Sequence, residues 1–582
     1  MLAVLAERLL VKLQSYITAD LKLEAGLLGL ILLLAAAGLP VNRIPPERWL
    51  VFFRRFTARK YLPVVAIVLA AGAIRLAILP WYPIPLPKIH DEFSLLLGAE
   101  TFALGRLTNP THPMWISFET FHVLQQPTYI SIYPPAQAAM LALGIVMGNP
   151  WFAVLACWML TCGAFVWMLR PWFAPGWAFC GGLLLLARTL TSEWSDSYRG
   201  GALAALSAAI IVGAAGRIWF QRTVSWRYGL LLGAGIAVLL NRRPFEGLLL
   251  TAGIGVMLTY WLFKKAERPV VRQAVLVAAP ALAILLPCAA FILYYNARAT
   301  GNPLLLPYVK GIQTYAIARH DILIPAGIEP AYRNAEFRAF FEWEYSYYLK
   351  RRQHFLRSLP YEAMPSLQLY LGPSLALPLL LALPWIWRSR RIRPVLLILA
   401  GCLAVNTTET WIQPHYLAPE APLLWIVIIE SMTLLAAKWP NWGRTVVAAS
   451  VISCVFGIPG LVLSDAIRGI HHDPSWPRSR IAARLAATPG RHLVLVKYLP
   501  GHDFFSEWVY NGPDIDSSQI VWARDLGPEQ NARCLDYFRG RRIWEADVGK
   551  TLESFRDITP GTTALLPAPA GERREAGNHA DF

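Results

Sequence analysis

The chain has 582 residues, of which 55% are hydrophobic and only 16% are charged. A soluble protein carries about 25% charged residues, so this composition excludes an ordinary soluble enzyme. The net charge of +17 does not indicate a nucleic-acid partner, because the basic residues cluster in short loops between long apolar runs. That distribution is the positive-inside pattern of a polytopic membrane protein.

Twelve apolar runs predict membrane spans, within an expected total of about 11 to 13. They lie at about residues 24–40, 61–80, 151–169, 175–189, 200–217, 228–241, 245–263, 273–295, 369–386, 393–406, 416–436 and 445–464. A further run at 134–148 is short and opens with Pro134-Pro135. We interpret it as a juxtamembrane or re-entrant helix, because a span there would move every later basic loop to the outer side.

Basic loops such as 41–60 are predicted to be cytoplasmic, and this orientation suggests four parts. These are residues 1–60 (an N-terminal amphipathic helix, the first span and a basic cytoplasmic loop), 61–465 (a transmembrane catalytic domain with external loops 81–150 and 296–368), 466–568 (a small external α/β domain) and 569–582 (a disordered tail). The predicted fold class is therefore a polytopic α-helical membrane protein with a small C-terminal α/β extramembrane domain.

The first external loop contains adjacent carboxylates, Asp91 and Glu92, soon after a span. Ionised groups at a bilayer face are costly and usually belong to a site or to water. We predict that they face a cavity and that one of them is a catalytic base. The alternative is a helix cap, since Asp91 or Ser94 precedes a helix-like run and would cap it well. The residues alone leave both readings open.

A second charged feature, Arg242-Arg243, lies at the outer end of a predicted helical hairpin. Arginines there need an anionic partner, and a phosphate suits the guanidinium fork. A salt bridge to Glu246 or snorkelling to lipid headgroups is the open alternative. Further polar groups predicted on the same face, and assigned to substrate binding, are His90, Tyr133, Arg199 and His415. For His415, a simple hydrogen bond at the end of a span is also open.

Two other regions yield weaker expectations. The spacing of His112, Glu119 and His122 is a weak metal signal, so we predict no metal site; no cofactor is firmly implied, and a divalent metal is left open. We expect helices within loop 296–368 that cover the cavity, because loops of about 70 residues are unusual unless functional or folded. The polar C-terminal region has strand-like runs at His492–Tyr498, Gln519–Arg524 and Arg542–Glu545 and a helix-like stretch at Pro528–Arg539.

A carboxylate and an arginine cluster on one face suit glycosyl transfer from a lipid-phosphate sugar. The base takes the proton of the attacking hydroxyl, and cations stabilise the phosphate as it leaves. A single displacement of this kind inverts the anomeric carbon.

The stretch HDEFSLLLGAETFALGRLTNP, the run opening at Tyr133-Pro134-Pro135 and the Gly-rich helix 233–247 resemble the GT-C superfamily of polyprenyl-phosphate-sugar-dependent glycosyltransferases. The nearest types in pattern are the protein O-mannosyltransferases and the aminoarabinose-to-lipid-A transferases. The strings SYRGGALAAL, NRRPFEG, YYNARATGNPLLLPY and PHYLAP resemble a bacterial subgroup without an assigned activity. The resemblance covers roughly residues 61–440. It implies Asp91 as the base, with Glu92 beside it, and Arg242 or Arg243 on the carrier phosphate.

The sequence thus predicts an inverting glycosyltransferase in a bacterial plasma membrane, with its active site and C-terminal domain outside. Its partners would be a polyprenyl-phosphate sugar donor, membrane lipid and an acceptor that is a glycan, a lipid or a protein. A transporter or lipid flippase, and a non-catalytic envelope assembly protein, are the alternatives.

Overall fold

The computed structural model describes residues 19–38, 47–221, 224–472 and 475–559. The predicted amphipathic helix at the N-terminus lies largely outside these ranges, and the predicted tail lies outside them entirely. Within the described ranges the helices are α1 Ala19–Ala36, α2 Glu47–Ala58, α3 Leu62–Ala77, α4 His90–Ala103, α5 Pro135–Val146, α6 Pro150–Leu169, α7 Pro175–Thr189, α8 Gly201–Trp219, α9 Trp226–Leu240, α10 Pro244–Lys264, α11 Val270–Thr300, α12 Pro307–Tyr315, α13 Ala335–Gln353, α14 Phe355–Tyr370, α15 Gly372–Ile386, α16 Arg393–Asn406, α17 Ala421–Lys438, α18 Trp442–Arg468, α19 Pro477–Ala486 and α20 Pro528–Tyr537.

The predicted polytopic helical fold is confirmed, since each of the twelve predicted spans overlaps a helix. Among the described residues, α6, α8, α10, α11, α17 and α18 are each long and apolar enough to cross a membrane. Two bent pairs, α2 with α3 at 96° and α14 with α15 at 102°, raise that number to at most eight if each pair is one span. Other predicted spans, such as those at α9 and α16, are shorter apolar helices.

Close helix packing forms the membrane core. Three indoles, Trp151, Trp158 and Trp425, are fully buried within it. Helix α8 is rich in Ala and Gly, which lets its neighbours approach closely. A Cβ on Gly213 would lie 2.2 Å from the ring of Trp167. The bundle therefore gives the external segments a rigid base.

The segment between α3 and α6 contains two helices and a small sheet. The short helix predicted at 134–148 is α5, which has 12 residues. Strands β1 Asn109–Pro110, β2 Val123–Leu124 and β3 Thr128–Ser131 form an antiparallel sheet in the order β1-β3-β2. The helices expected in loop 296–368 are present as α12, α13 and α14.

The C-terminal region forms the predicted α/β fold. Its strands are β4 His492–Tyr498, β5 Ile520–Arg524, β6 Arg542–Val548 and β7 Leu552–Asp557, in the order β5-β4-β6-β7. Strand β4 pairs in parallel with β5 and β6, and β7 adds an antiparallel edge that the sequence did not predict. This fold packs on α4, where the Phe93 ring stacks on Tyr510 at 4.6 Å.

The start of α4 differs from the predicted cap. The N-cap is Ile89, which makes no side-chain cap bond, so Asp91 and Glu92 both lie in the first turn. The Ser94 hydroxyl instead donates to the backbone oxygen of His122 at 2.6 Å. Capping by Asp91 or Ser94 is therefore wrong. Two carboxylates in a first turn still benefit from the helix dipole.

Candidate active site

A cavity of about 740 Å³ lies where the external segments meet the membrane helices. Seven of the eight predicted site residues line it: His90, Asp91, Tyr133, Arg199, Arg242, Arg243 and His415. Glu92 is the exception. The expectation that the acidic stretch and the arginine pair face one cavity is therefore met in the geometry, while the roles of the individual residues stay predictions.

Asp91 projects into this cavity from the first turn of α4, and its side chain is 28% exposed. The Tyr133 hydroxyl donates a hydrogen bond to Asp91 Oδ1. His90 Nδ1 lies 3.3 Å from Oδ2, and His122 Nε2 lies 3.9 Å from Oδ1. Burial raises the pKa of Asp91, but the two imidazoles and the Tyr133 hydrogen bond outweigh it and hold this pKa well below the ordinary value. The carboxylate is thus ionised and able to accept a proton.

His122 reaches Asp91 from an unusual backbone conformation. Its φ is +59°, in the left-handed region that few non-glycine residues occupy and that is often found at functional sites. Its backbone oxygen accepts bonds from the Ser94 hydroxyl and from the Ile132 amide, at 2.6 and 3.1 Å. Burial and neighbouring His90 lower the pKa of His122 to about 4, against the opposite effect of the Asp91 carboxylate.

Three of these side chains could hold a divalent cation. His90, Asp91 and His122 each offer a ligand atom, and these atoms lie within 4.8 Å of one another. Two imidazoles with one carboxylate suit Zn²⁺ or a related first-row ion. Among the described residues, neither ring nitrogen of His90 makes a hydrogen bond of good geometry, although Nδ1 lies 3.3 Å from the Asp91 carboxylate. Both nitrogens are therefore free to coordinate a cation. The sequence argued against a metal here because it considered His122 with His112 and Glu119.

Glu92 does not line the cavity, and its carboxylate instead accepts hydrogen bonds from two neighbouring segments. Its Oε1 accepts the Ser197 hydroxyl at 2.7 Å and the Tyr198 amide at 3.2 Å, and its Oε2 accepts the Lys88 amide at 3.2 Å. The residue is 7% exposed. Geometry therefore corrects the prediction that Glu92 shares the catalytic role: it positions the first turn of α4 against the loop before α8.

The arginine pair occupies the turn between α9 and α10. Arg243 lies 3.4 Å from Glu246 and stacks on the Tyr416 ring at 4.0 Å, so the salt bridge left open by the sequence is formed. Arg242 is only 5% exposed, and its Nε has no hydrogen-bond partner among the described residues. Burial and the adjacent Arg243 lower the pKa of Arg242 to about 9, so it remains a cation, and no described residue forms an ion pair with it. Such a group favours an anionic ligand.

Arg199 and His415 converge on one buried carboxylate. Arg199 Nη2 and His415 Nδ1 lie 3.2 and 3.3 Å from Glu193 Oε2. A glycine follows Arg199 because Gly200 has a φ of +82° and its Cβ would lie 1.9 Å from the Gln137 side chain. This bend turns Arg199 toward the cavity at the start of α8. Arg199 and His415 are therefore at the wall, already paired with an acid.

Other lining residues come from segments that the sequence did not assign. Polar or aromatic groups among them are His122, Tyr308, Trp343, Glu344, Trp411 and Phe505. Apolar lining comes from the outer ends of α9 and α11, including Leu240, Leu285, Ile292 and Leu293. The sequence contained a weak metal signal for His122, and for loop 296–368 it predicted helices that cover the cavity. Phe505 has no such signal, because it sits in a connection after β4.

One cavity therefore contains the ionised carboxylate of Asp91, the guanidinium of Arg242 without an ion pair to a described residue, and an apolar surface from α9 and α11. Such an arrangement can take a proton from a hydroxyl, stabilise an anion that forms beside it, and accommodate a lipid chain.

No protein-family model matches this chain, and no curated protein is significantly similar to it. Solved structures do show similarity. ArnT from Cupriavidus metallidurans, bound to undecaprenyl phosphate, is 15% identical, with a TM-score of 0.47 over 86% of this chain and 93% of ArnT.

An oligosaccharyltransferase from Archaeoglobus fulgidus, tethered with an acceptor peptide, is 11% identical, with a TM-score of 0.44 over 75% of this chain and 62% of the other. The arabinofuranosyltransferase AftD from Mycobacteria is 16% identical, with a TM-score of 0.41 over 82% and 35%. Similarity at this level leaves the function to be argued from the site.

Proposed function

We propose that this multi-pass membrane protein is an inverting glycosyltransferase that moves a sugar from a polyprenyl-phosphate carrier to an acceptor hydroxyl. Asp91 acts as the base, and Arg242, with Arg243, binds the carrier phosphate. The observation that carries the proposal is that Asp91 lines the same cavity as Arg242, a buried guanidinium whose Nε has no hydrogen-bond partner among the described residues.

The reaction needs few groups, and the cavity supplies them. Ionised Asp91 accepts the proton of the acceptor hydroxyl as its oxygen attacks the anomeric carbon, and Tyr133 orients the carboxylate by its hydrogen bond. The bond from the anomeric carbon to the phosphate oxygen breaks, and its electrons leave with the phosphate. Arg242 stabilises that charge, so no general acid is required. A divalent ion held by His90, Asp91 and His122, if bound, would supply positive charge beside the acceptor hydroxyl and make it easier to deprotonate.

The apolar part of the cavity supports a lipid-linked donor. Helix α11 is 31 residues long, and only 6% of its apolar window is buried inside the protein. Its residues Leu285, Ile292 and Leu293 line the cavity and extend the apolar surface toward the membrane. A polyprenyl chain along this surface would leave its phosphate at the turn that carries Arg242.

The charge distribution supports an outer-face site. Basic loops mark the opposite side as cytoplasmic, so the cavity and the C-terminal domain face the periplasm or the exterior of a bacterial plasma membrane. A transporter or flippase, or a non-catalytic envelope protein, remains the alternative, and neither needs Asp91 as a proton acceptor.

The test is sugar transfer by purified protein in nanodiscs, with a panel of radiolabelled polyprenyl-phosphate sugars. Release of free polyprenyl phosphate is measured for wild type and for Asp91→Asn. We expect Asp91→Asn to reduce release by about 10²–10⁴-fold, the usual contribution of a general base.

The matched control is Asp536→Asn, because Asp536 is an exposed carboxylate of the C-terminal domain with 63% of its side chain accessible. This variant should transfer like wild type. Undiminished transfer by Asp91→Asn would reject Asp91 as the base, and an unaltered donor throughout the panel would favour the transporter or envelope alternatives.

A further inference from the structure

One part of the cavity wall is aromatic and is assembled from three distant segments. Trp343 comes from α13, Trp411 from the connection after α16, and Phe505 from the C-terminal domain. The Trp343 ring lies 5.5 Å from Trp411 and 5.6 Å from Phe505. Tyr347 stacks on Trp411 with an interplanar angle of 9° at 4.2 Å, which fixes that indole. We call Trp343, Trp411, Phe505 and the adjacent Glu344 the aromatic wall.

A carboxylate is built into this wall. The Trp411 Nε1 donates to Glu344 Oε1 at 3.3 Å, and Glu344 lines the cavity. A carboxylate offers about four acceptor positions, so this bond leaves capacity for donors from a ligand. An aromatic surface with one precisely placed acceptor is what a ligand with apolar C–H faces and several hydroxyls requires. A lipid chain would offer the carboxylate no donor beyond the Trp411 indole, whereas a hydroxylated ligand would use its remaining acceptor positions.

The aromatic wall adjoins the base. The His90 ring lies 5.6 Å from Phe505, and its Nδ1 lies 3.3 Å from Asp91. Arg243, by contrast, packs on Tyr416. A molecule resting on the aromatic wall therefore reaches Asp91 past His90, where an attacking hydroxyl has to be.

The C-terminal domain holds Phe505 in place. Two residues on, the Glu507 amide donates to the Lys88 oxygen at 3.2 Å. The Glu507 carboxylate accepts the Thr120 hydroxyl at 2.8 Å and Arg524 at 3.1 Å. Phe505 is nevertheless 40% exposed. An aromatic ring that is anchored two residues on and is yet uncovered is suited to stack on a ligand.

We propose that the aromatic wall is the acceptor subsite and that the acceptor is a carbohydrate, with Glu344 as a specificity-determining residue. This inference rests on the proposed function, because it assigns the second substrate of the same site. Stacked rings hold the sugar face, Glu344 accepts hydroxyl hydrogens, and one hydroxyl is left beside Asp91.

The test measures saccharide binding without a donor. Full-length protein in nanodiscs is titrated with short oligosaccharides of mannose, glucose, galactose and arabinose, and saturation-transfer NMR reports contact with protein aromatic protons. We expect at least one of these saccharides to bind. Its affinity should fall about tenfold or more in Glu344→Gln and in Phe505→Ala, as for central contact residues, and Phe505→Tyr should restore it.

The matched control is Glu342→Gln, because Glu342 is exposed on the same helix. It should bind like wild type, and thermal unfolding verifies that each variant is folded. Equal binding by wild type, Glu344→Gln and Phe505→Ala, or binding of hexadecanol or a serine-containing peptide with no saccharide, would overturn the acceptor subsite. Saccharide binding that depends on Glu344 without any sugar transfer would instead count against the proposed function alone.

Discussion

The cavity joins two parts that differ in chemistry and in construction. In the charged part, Asp91 lies in the first turn of α4 and Arg242 in the turn after α9. Each of them is adjacent in sequence to another residue that lines the cavity. The aromatic part takes Trp343, Trp411 and Phe505 from external segments that are far apart in the chain. The charged groups are thus each fixed beside a single helix end, whereas ligand recognition depends on how three separate segments dock. Precise placement matters most for the groups that do chemistry, and rigid elements provide it.

The largest effect should come from the charged part. Arg242→Ala removes a guanidinium that forms no ion pair with a described residue, and we expect sugar transfer to fall by about 10²–10³-fold, the usual loss for a preorganised donor to developing charge. Arg243→Ala should cost less, because Arg243 already pairs with Glu246. Arg388→Ala, in an exposed loop predicted to be cytoplasmic, is the control. A greater loss in Arg243→Ala would reverse the assignment within the pair.

Removing a bond to the base should have the next largest effect. Tyr133→Phe deletes the hydrogen bond to Asp91, and a bond to an ionised group contributes about 1.5–3 kcal/mol. We expect about a tenfold to hundredfold fall in transfer rate and a melting temperature lowered by at most a few degrees. Tyr260→Phe changes an exposed tyrosine of α10 and should have no effect. A wild-type rate in Tyr133→Phe would show that Asp91 needs no such orientation.

Glu92 should behave as a structural residue, in contrast to its neighbour. Glu92→Gln keeps the shape but replaces the carboxyl group that accepts three hydrogen bonds with an amide, in which one oxygen acceptor becomes a donor. We expect destabilisation of about 1–3 kcal/mol, seen in thermal unfolding, and only a few-fold loss of transfer. Asp91→Asn should show the opposite pattern, with lost transfer and preserved melting. Identical profiles for the two variants would restore the shared catalytic role.

The smallest effect should be the spectroscopic change that accompanies the titration of Glu344 in the aromatic wall. Burial raises the pKa of Glu344 from 4.5 to about 7, although the hydrogen bond from Trp411 and the nearby His90 act to lower this pKa. Because the folded-state pKa is the higher one, this carboxyl favours folding at low pH, and the contribution is lost as pH rises through 7. Tryptophan fluorescence should change with a midpoint near pH 7, since the group contacts Trp411. Glu344→Gln should abolish that transition, and its persistence there would assign it to another group.

Much of the fold could be predicted because membrane spans depend on local composition. Each apolar run became a helix, and Arg242 could be located because two adjacent arginines interrupt a hairpin. The role of Glu92 could not be predicted, since its partners Ser197 and Tyr198 are more than a hundred residues away. The sequence grouped Glu92 with Asp91 because both are adjacent carboxylates. The direction of each side chain becomes known only once the helix is placed in the fold.

The assembly of the aromatic wall and the position of His122 beside Asp91 could not be predicted from the sequence, for different reasons. Trp411 and Phe505 meet only through the docking of separate external segments, which leaves no periodic pattern. His122 was noticed with His112, but His112 Nε2 lies 3.0 Å from Asp516 in the C-terminal domain. The left-handed backbone that turns His122 toward Asp91 carries no glycine or other signature in the sequence.

The stacking of Phe93 has a consequence for engineering. Phe93 follows Asp91 by two residues, and its ring contacts Tyr510 and Arg478 of the C-terminal domain at 4.6 and 4.8 Å. Arg478 in turn donates to the Trp508 backbone oxygen at 2.8 Å. The C-terminal domain is therefore not an interchangeable module. A chimera that exchanged it between related proteins would have to carry the first external loop with it to keep the helix of the base seated.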